Sequence, residues 1–163
     1  MRKLGSMDLI TVDFETYYDR EFSLSKMTTE EYVRDPRFEV IGVGVKVNNN
    51  TTEWASGSKQ QIRDFLHTFD WDGAMFLAHN TVFDGAIANW LFDITPRVYT
   101  DTLCIARAMD GVEVSGSLRA LAERYSLGAK GTAVEDALGK HRADFTSEEL
   151  STYGDYCTND VDL

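Results

Sequence analysis

The sequence predicts an α/β fold in which a mixed β-sheet is flanked by helices. Apolar and β-branched runs come early in the chain, and a turn at residues 48–50 (NNN) joins two of them as in an antiparallel meander. Further along, short apolar strands alternate with segments whose apolar residues recur at helical spacing, which indicates strand–helix units. A length of 163 residues with a hydrophobic fraction of 43% suits one domain with a substantial core.

Each element has its own local signal. Helices are predicted where apolar residues recur every three or four positions, as Ile62, Phe65 and Phe69 do. Thr146 and Glu149 fit a capping box, which starts the last helix. Strands are expected at residues 8–14, 38–47, 51–55, 74–78 and 97–100, and helices at residues 58–69, 82–92, 102–109, 117–125 and from 146 onward.

Composition bounds the function. The chain has 27 acidic and 16 basic residues and a formal net charge of −11. Such a surface repels phosphates and disfavours a generally basic nucleic-acid binder, but it allows an enzyme that reaches phosphates through bound cations. Cys104 and Cys157 form no CxxC pair, so they are interpreted as reduced thiols rather than a zinc site.

Compartment and domain limits are also predicted. No apolar run approaches the roughly 20 residues that span a bilayer, and the N-terminus lacks the apolar region of a signal peptide. We therefore expect a soluble cytoplasmic protein with no membrane partner. Gly5 and Ser6 resemble a cloning scar, so residues 1–6 are expected to be a disordered tag and residues 7–163 the domain.

Asp13 and Glu15 are the first pair of candidate functional residues. Side chains two apart in a strand point to the same side, and this pair ends an apolar strand, where open α/β sheets bind ligands. Two such carboxylates repel each other unless a proton or cation lies between them, and Mg2+ prefers oxygen ligands. The alternative is a solvated strand-end turn.

The second group runs from His79 to Asp84, directly after the strand at residues 74–78. Asp84 falls in the first turn of the next helix, where an acid also simply stabilises the helix dipole. Asn80 is interpreted as a helix cap, Phe83 as a core residue and His79 as a loop histidine, unless the group contacts a ligand.

The third group, Tyr153, Tyr156 and Asp160, lies on the last helix. Tyr156 and Asp160 are four apart and share one face, so a carboxylate and a phenol lie where they can hold a metal and orient a water. The alternative is again a solvated face. Cys157 lies on another stripe, which suits packing against the sheet.

Together these groups resemble the DEDD family of 3′–5′ exonucleases. Its first motif is DxE, its second places an aromatic residue immediately before an Asp, and its third, in the tyrosine subclass, is Tyr-x3-Asp. The histidine subclass needs a His at position 155, which is Asp155 here. The matching segments are Asp13-Phe14-Glu15, Asn80-Thr81-Val82-Phe83-Asp84 and Tyr156-Cys157-Thr158-Asn159-Asp160.

Further similarity is to the proofreading domain of bacteriophage family A DNA polymerases. It covers nearly the whole chain from Met7 and rests on the segments Asp101-Thr102-Leu103, Ala106-Arg107, Ser117-Leu118 and Ala120-Leu121.

The resemblance implies a ribonuclease H-like fold whose five-stranded mixed sheet has its second strand antiparallel to the rest. It implies two divalent ions, Mg2+ or Mn2+, with Asp13 bridging them. Hydrolysis of the 3′-terminal phosphodiester would release nucleoside monophosphates. The implied residues are Asp13, Glu15 and Asp160 on one ion, Asp84 on the second through water, Tyr156 orienting the attacking water, and Thr16, His79, Asn80 and Phe83 on the substrate.

The implied partners are the 3′ end of single-stranded DNA and an attached or associated polymerase domain. Alternatives are a free-standing RNA-trimming exonuclease and a non-catalytic binding module, although four intact acids speak against the latter. The last helix ends soon after Asp160, so a truncated helix is expected. Two further sets stay open between strand binding and ordinary roles, namely the basic residues Lys130, Lys140, His141 and Arg142 and the aromatic residues Tyr17, Tyr18 and Phe22.

Overall fold

The computed structural model describes residues 7–131 and 136–163, so the prediction for residues 1–6 lies outside the described part. The elements in chain order are β1 (Asp8–Thr16), α1 (Thr29–Arg34), β2 (Val40–Val47), β3 (Glu53–Ala55), α2 (Lys59–Leu66), β4 (Ala74–Ala78), α3 (Thr81–Phe92), β5 (Val98–Asp101), α4 (Thr102–Asp110), α5 (Leu118–Tyr125), a short 3-10 helix (Arg142–Asp144) and α6 (Ser147–Asp162).

The five strands form one sheet in the order β3-β2-β1-β4-β5. β1 pairs antiparallel with β2 and parallel with β4, β2 pairs antiparallel with β3, and β4 pairs parallel with β5. β2 therefore runs opposite to the other four strands. This confirms the predicted α/β fold with a five-stranded mixed sheet.

The two sides of β1 face different helices because successive side chains of a strand alternate. Phe14 stacks on Phe92 of α3, with ring centroids 5.9 Å apart. Asp13, the residue before it, contacts Cys157 of α6 instead. The central strand thus supplies the hydrophobic core on one side and acidic side chains on the other.

Most predicted elements are present, with small shifts at their ends. β4 has the predicted bounds, and Thr146 caps α6 as expected, whereas Ser117, predicted as the first residue of a helix, is the N-cap of α5. β1 continues two residues beyond the predicted end, to Thr16, so the acidic pair lies within the strand. α1 was not predicted, although Thr28 and Glu31 form a capping box at its start.

Of the helices that the structure describes, none combines the length and the apolar character needed to cross a membrane.

Candidate metal centre

β1 brings the first acidic pair to the side of the sheet covered by α6. Glu15 is buried, with 7% of its surface exposed, and the Tyr153 hydroxyl donates a hydrogen bond to its carboxylate. Asp13 is half-buried, and the Cys157 thiol lies 3.5 Å from its Oδ2. Both carboxylates are therefore held against α6 rather than solvated at a turn.

Asp84 joins the pair through the backbone of β1. Its Oδ1 accepts a hydrogen bond of 3.0 Å from the amide of Phe14, the residue between Asp13 and Glu15. Asn80 makes the tight turn from β4 into α3 in a left-handed conformation, with φ of 72°, and its side chain does not cap the helix. Asp84 lies in the first turn of that helix, as predicted, and is only 3% exposed.

α6 contributes Tyr156 and Asp160. The Asp160 side chain is 5% exposed, and its Oδ2 forms an ion pair with Lys130. The Tyr156 hydroxyl also hydrogen-bonds to Asp160, and the Lys130 ammonium lies 5.1 Å from the centroid of the Tyr156 ring. Asp160 Oδ1 is buried and has no hydrogen-bond partner among the described residues.

Burial and mutual repulsion dominate the electrostatics of these acids. Burial, and next the charge of Asp160, raise the pKa of Asp13 to about 6. Burial and the charge of Asp13 raise the pKa of Glu15 and of Asp84 well above their usual range. Since burial and repulsion disfavour the charged form of these three carboxylates, the cluster favours the entry of a cation.

The chemistry of the cluster fits a hard divalent ion. The donors are carboxylate oxygens, the type that Mg2+ and Mn2+ prefer. Asp160 Oδ1 is buried and has no hydrogen-bond partner among the described residues, a costly state that a coordinated ion would relieve. Ligand atoms of Asp13, Glu15 and Cys157 also lie within 4.8 Å of one another. The carboxylates present therefore suit the predicted divalent ions, Mg2+ or Mn2+.

Three of the four candidate substrate residues line two separate hollows. Thr16 and Phe83 line one of about 340 Å3 beside Glu15 and Tyr153. His79 lines another, of about 500 Å3, which Asp13 and Asp160 also reach. The His79 ring hydrogen-bonds to Thr102 Oγ1 at 2.9 Å, and the backbone N–H of Asn80 donates to Asp101 Oδ1 at 3.1 Å. The fold thus places Thr16 and Phe83 in one hollow with Glu15, whereas His79 and Asn80 follow β4 and contact the β5–α4 junction.

Of the four basic residues considered for strand binding, Lys130 alone contacts the acidic centre. Lys140 pairs with Glu149 at 2.7 Å, and His141 Nδ1 lies 2.7 Å from Glu39. Arg142 Nε donates to the Ser56 hydroxyl at 3.0 Å. Two of the aromatic residues considered for strand binding, Tyr17 and Phe22, have an ordinary core role, since their side chains are buried in the core.

Tyr153, Cys157 and Lys130 make contacts with the centre that the sequence did not predict. The spacing of Tyr153 and Tyr156, which places them on one helix face, is visible in the sequence. The bond of Tyr153 to Glu15 cannot be seen there. Cys157 packs on the sheet as predicted, against Gly44, and in addition touches Asp13. Lys130 is 30 residues before its partner, so no local pattern indicates the pair.

We expect Lys130→Met to raise the affinity for Mn2+ about tenfold, equivalent to about 1.4 kcal/mol. The Lys130 ammonium competes with a metal ion for Asp160. Without the ammonium, a bound metal ion is the cation that offsets the repulsion among the carboxylates. Isothermal titration calorimetry measures the change. Lys140→Met, which breaks the ion pair with Glu149 on the α6 surface, serves as the matched control. Equal affinities in the two variants would contradict this role.

No protein-family profile matches the chain, and no curated protein matches it. Solved structures do. RNase D of Trypanosoma brucei in complex with RNA U12 superposes with a TM-score of 0.69 at 11% identity, over 98% of this chain and 53% of that chain. Brucella melitensis NrnC with bound Mg2+ gives a TM-score of 0.65 at 12% identity, over 97% and 68%. The family B DNA polymerase of the archaeon Pyrobaculum calidifontis gives 0.63 at 16%, over 97% and 23%.

These structural neighbours are of the DEDD 3′–5′ exonuclease type. At such identities the likeness concerns the fold, and it confirms the ribonuclease H-like architecture that the motifs imply. The chain spans about half of the RNase D chain and under a quarter of the polymerase.

Proposed function

We propose that the chain is a metal-dependent 3′–5′ exonuclease that hydrolyses the 3′-terminal phosphodiester of single-stranded DNA and releases nucleoside monophosphates. One observation carries the proposal. Carboxylates from three separated segments, β1, α3 and α6, converge in a buried cluster, and one of their oxygens lacks a partner among the described residues. A purely structural role does not explain so much buried like charge.

In this proposal Asp13, Glu15, Asp84 and Asp160 would together hold two divalent ions. Such a pair of ions lowers the pKa of the attacking water and stabilises the leaving 3′ oxygen. The protein's own part is to hold four acids close together, so that the anionic phosphodiester binds only to the metal-loaded site.

Tyr156 is the residue proposed to orient the attacking water. Burial, and next the charge of Asp160, raise the pKa of its hydroxyl above the ordinary value, so it stays protonated at neutral pH. A protonated phenol donates a hydrogen bond and is not a general base. Its bond to Asp160 holds it beside the proposed ion site.

The hollow beside Glu15 is proposed to hold the terminal nucleotide. Phe83 offers an apolar side chain to a base, and Thr16 a hydroxyl, which in the free protein lies 3.1 Å from the Tyr32 hydroxyl. His79 and Asn80 are proposed to contact the strand outside this hollow, because they bond to Thr102 and Asp101 at the β5–α4 junction.

Proofreading is the proposed biological role, with a polymerase domain, attached or associated, delivering the strand. The segments shared with phage polymerases support it, as does the net charge of −11, which predicts weak, salt-sensitive DNA binding by the domain alone. RNA trimming is the second candidate, favoured by the resemblance to an RNase D solved with RNA.

The deciding assay compares DNA and RNA oligonucleotides of one sequence, labelled at the 5′ end, with Mg2+, with Mn2+ and with a chelator. The proposal expects a ladder shortened from the 3′ end, released mononucleotides, and faster digestion of DNA. Digestion of RNA alone would establish the second candidate. Binding of the DNA or RNA oligonucleotide without cleavage of either would instead indicate a non-catalytic binding module.

Tyr156→Phe is expected to slow trimming about 10- to 100-fold while leaving metal affinity unchanged, since it removes a water-positioning group and no ligand. Rates under single-turnover conditions measure the loss. Tyr125→Phe, which removes an exposed hydroxyl bonded to Asp110, is the matched control and is expected to keep the wild-type rate. A Tyr156→Phe enzyme as fast as that control would remove Tyr156 from the mechanism.

A further inference from the structure

The Cys157 thiol is a soft donor placed inside a cluster of hard ones. Its Sγ lies 3.4 Å from the main-chain oxygen of Asp13 and 3.5 Å from Asp13 Oδ2. Ligand atoms of Cys157, Asp13 and Glu15 lie within 4.8 Å of one another, and the cysteine is fully buried. One sulfur and two carboxylate oxygens at these separations can converge on a single ion.

A second observation points to a ligand at the same place. Asp160 follows Cys157 by three residues on α6, so the two side chains lie on neighbouring parts of one face. The Asp160 side chain is 95% buried, its charge acts on both Asp13 and Glu15, and its Oδ1 has no hydrogen-bond partner among the described residues. A buried oxygen with no partner among the described residues is thus close enough for its carboxylate charge to act on both acids of the group.

We propose that Cys157, Asp13 and Glu15 form a binding site for a thiophilic divalent ion, of the class of Zn2+ and Cd2+. Zn2+ favours four-coordinate sites that mix sulfur with oxygen or nitrogen donors, whereas Mg2+ gains nothing from a thiol. On binding, the sulfur lone pair bonds to the ion and the thiol proton passes to solvent.

The site shares Asp13 and Glu15 with the proposed catalytic centre. Zn2+ and the catalytic Mg2+ or Mn2+ therefore exclude each other, and we infer that thiophilic ions inhibit the nuclease. This consequence rests on the proposed function, whereas the binding site itself does not.

The other cysteine provides a matched control. Cys104 also places its Sγ near a carboxylate, at 3.4 Å from Asp101 Oδ2, but it is exposed. Among the residues described, the cluster around Cys157 is the one group of three or more potential ligands close enough to hold an ion. Cys104→Ser thus removes a thiol beside an acid without removing the proposed site.

The experiment is a titration of the reduced protein with Cd2+, read by the ultraviolet charge-transfer absorption of the cadmium–thiolate bond. We expect one equivalent of Cd2+ to produce the band in the wild type and in Cys104→Ser, and added Zn2+ to abolish it. Cys157→Ser is expected to lose the band and at least about 100-fold in Cd2+ affinity. Cys157→Ala is measured alongside, and circular dichroism checks the fold of each variant.

Absence of the band from the wild type would overturn the proposal whatever the variants do. So would loss of the band in Cys104→Ser, or its persistence in a folded Cys157→Ser or Cys157→Ala protein. Inhibition is scored separately, as the Zn2+ concentration that halves Mg2+-dependent trimming, which we expect to rise at least tenfold in Cys157→Ser. A protein that binds Cd2+ through Cys157 but cleaves no nucleic acid would refute the proposed function and leave the binding site standing.

Discussion

Asp13→Asn is expected to reduce metal-dependent trimming by at least about 10³-fold while the protein stays folded. Asp13 is the acid whose charge acts on both Glu15 and Asp84, so its replacement removes the charge that couples the other acids of the cluster. Asparagine keeps the shape of the side chain but removes the negative charge that two dications need. Single-turnover rates on a labelled oligonucleotide, with circular dichroism of the same preparation, measure both halves of the expectation.

Asp155→Asn is the control for this variant. It makes the same chemical change on α6, but Asp155 is exposed. Asp160→Asn tests the centre from the opposite element and is expected to be as inactive as Asp13→Asn. If either Asp13→Asn or Asp160→Asn trimmed at the wild-type rate, the two-metal assignment would be wrong.

The second large effect concerns stability. In the presence of a chelator, the free energy of unfolding is expected to fall as the pH rises from about 4 to about 6. The folded protein raises the pKa of Asp13 from 3.8 to about 6, so between these values the folded state holds a proton that the unfolded chain has released. Stability is therefore lost with rising pH, by up to about 3 kcal/mol for this group.

Divalent ions are expected to reverse the loss. At pH 7.5, Mn2+ at about 100 times its dissociation constant adds about 2.7 kcal/mol. This corresponds to a rise in Tm of about 5–10 °C for a domain of this size. At pH 5 the rise is expected to be smaller, because protons compete for Asp13. Thermal unfolding followed by circular dichroism, with Mn2+ and with chelator at each pH, measures the difference.

Asp13→Asn separates this effect from general metal binding. It is expected to flatten the loss of stability between pH 4 and 6 and to remove most of the Mn2+ effect, whereas Asp155→Asn changes neither. A metal-free wild type whose Tm rises through this pH interval would contradict the buried-carboxylate account.

Local sequence signals account for much of the fold. The residues of β4 are an uninterrupted apolar run, and α6 starts where its capping box predicts. α1 escaped prediction because six residues are too few to show a helical period, although its capping box is visible. β1 was predicted too short because Glu15 and Thr16 are polar, and only their partners across the sheet and on α6 show that the strand continues through them.

Position in the sequence also grouped the four acids correctly by element. DxE lies on a strand, Asp84 in the first turn of a helix and Asp160 four residues after Tyr156, and each of these placements depends on local periodicity. The ion pair of Lys130 with Asp160 could not be predicted in this way. Neither could the contact of Cys157 with Asp13, whose partners are 144 residues apart.

The sequence by itself determined the class of fold, the order of its strands and of every α-helix except α1, and which acids are candidates for metal binding, because hydrophobic period and capping act over a few residues. The tertiary structure alone decided what surrounds those acids. It buried them together, left one oxygen of Asp160 without a partner among the described residues, and set a cation and a thiol against them. Those properties depend on burial and on distances between remote segments, and no short-range pattern encodes either.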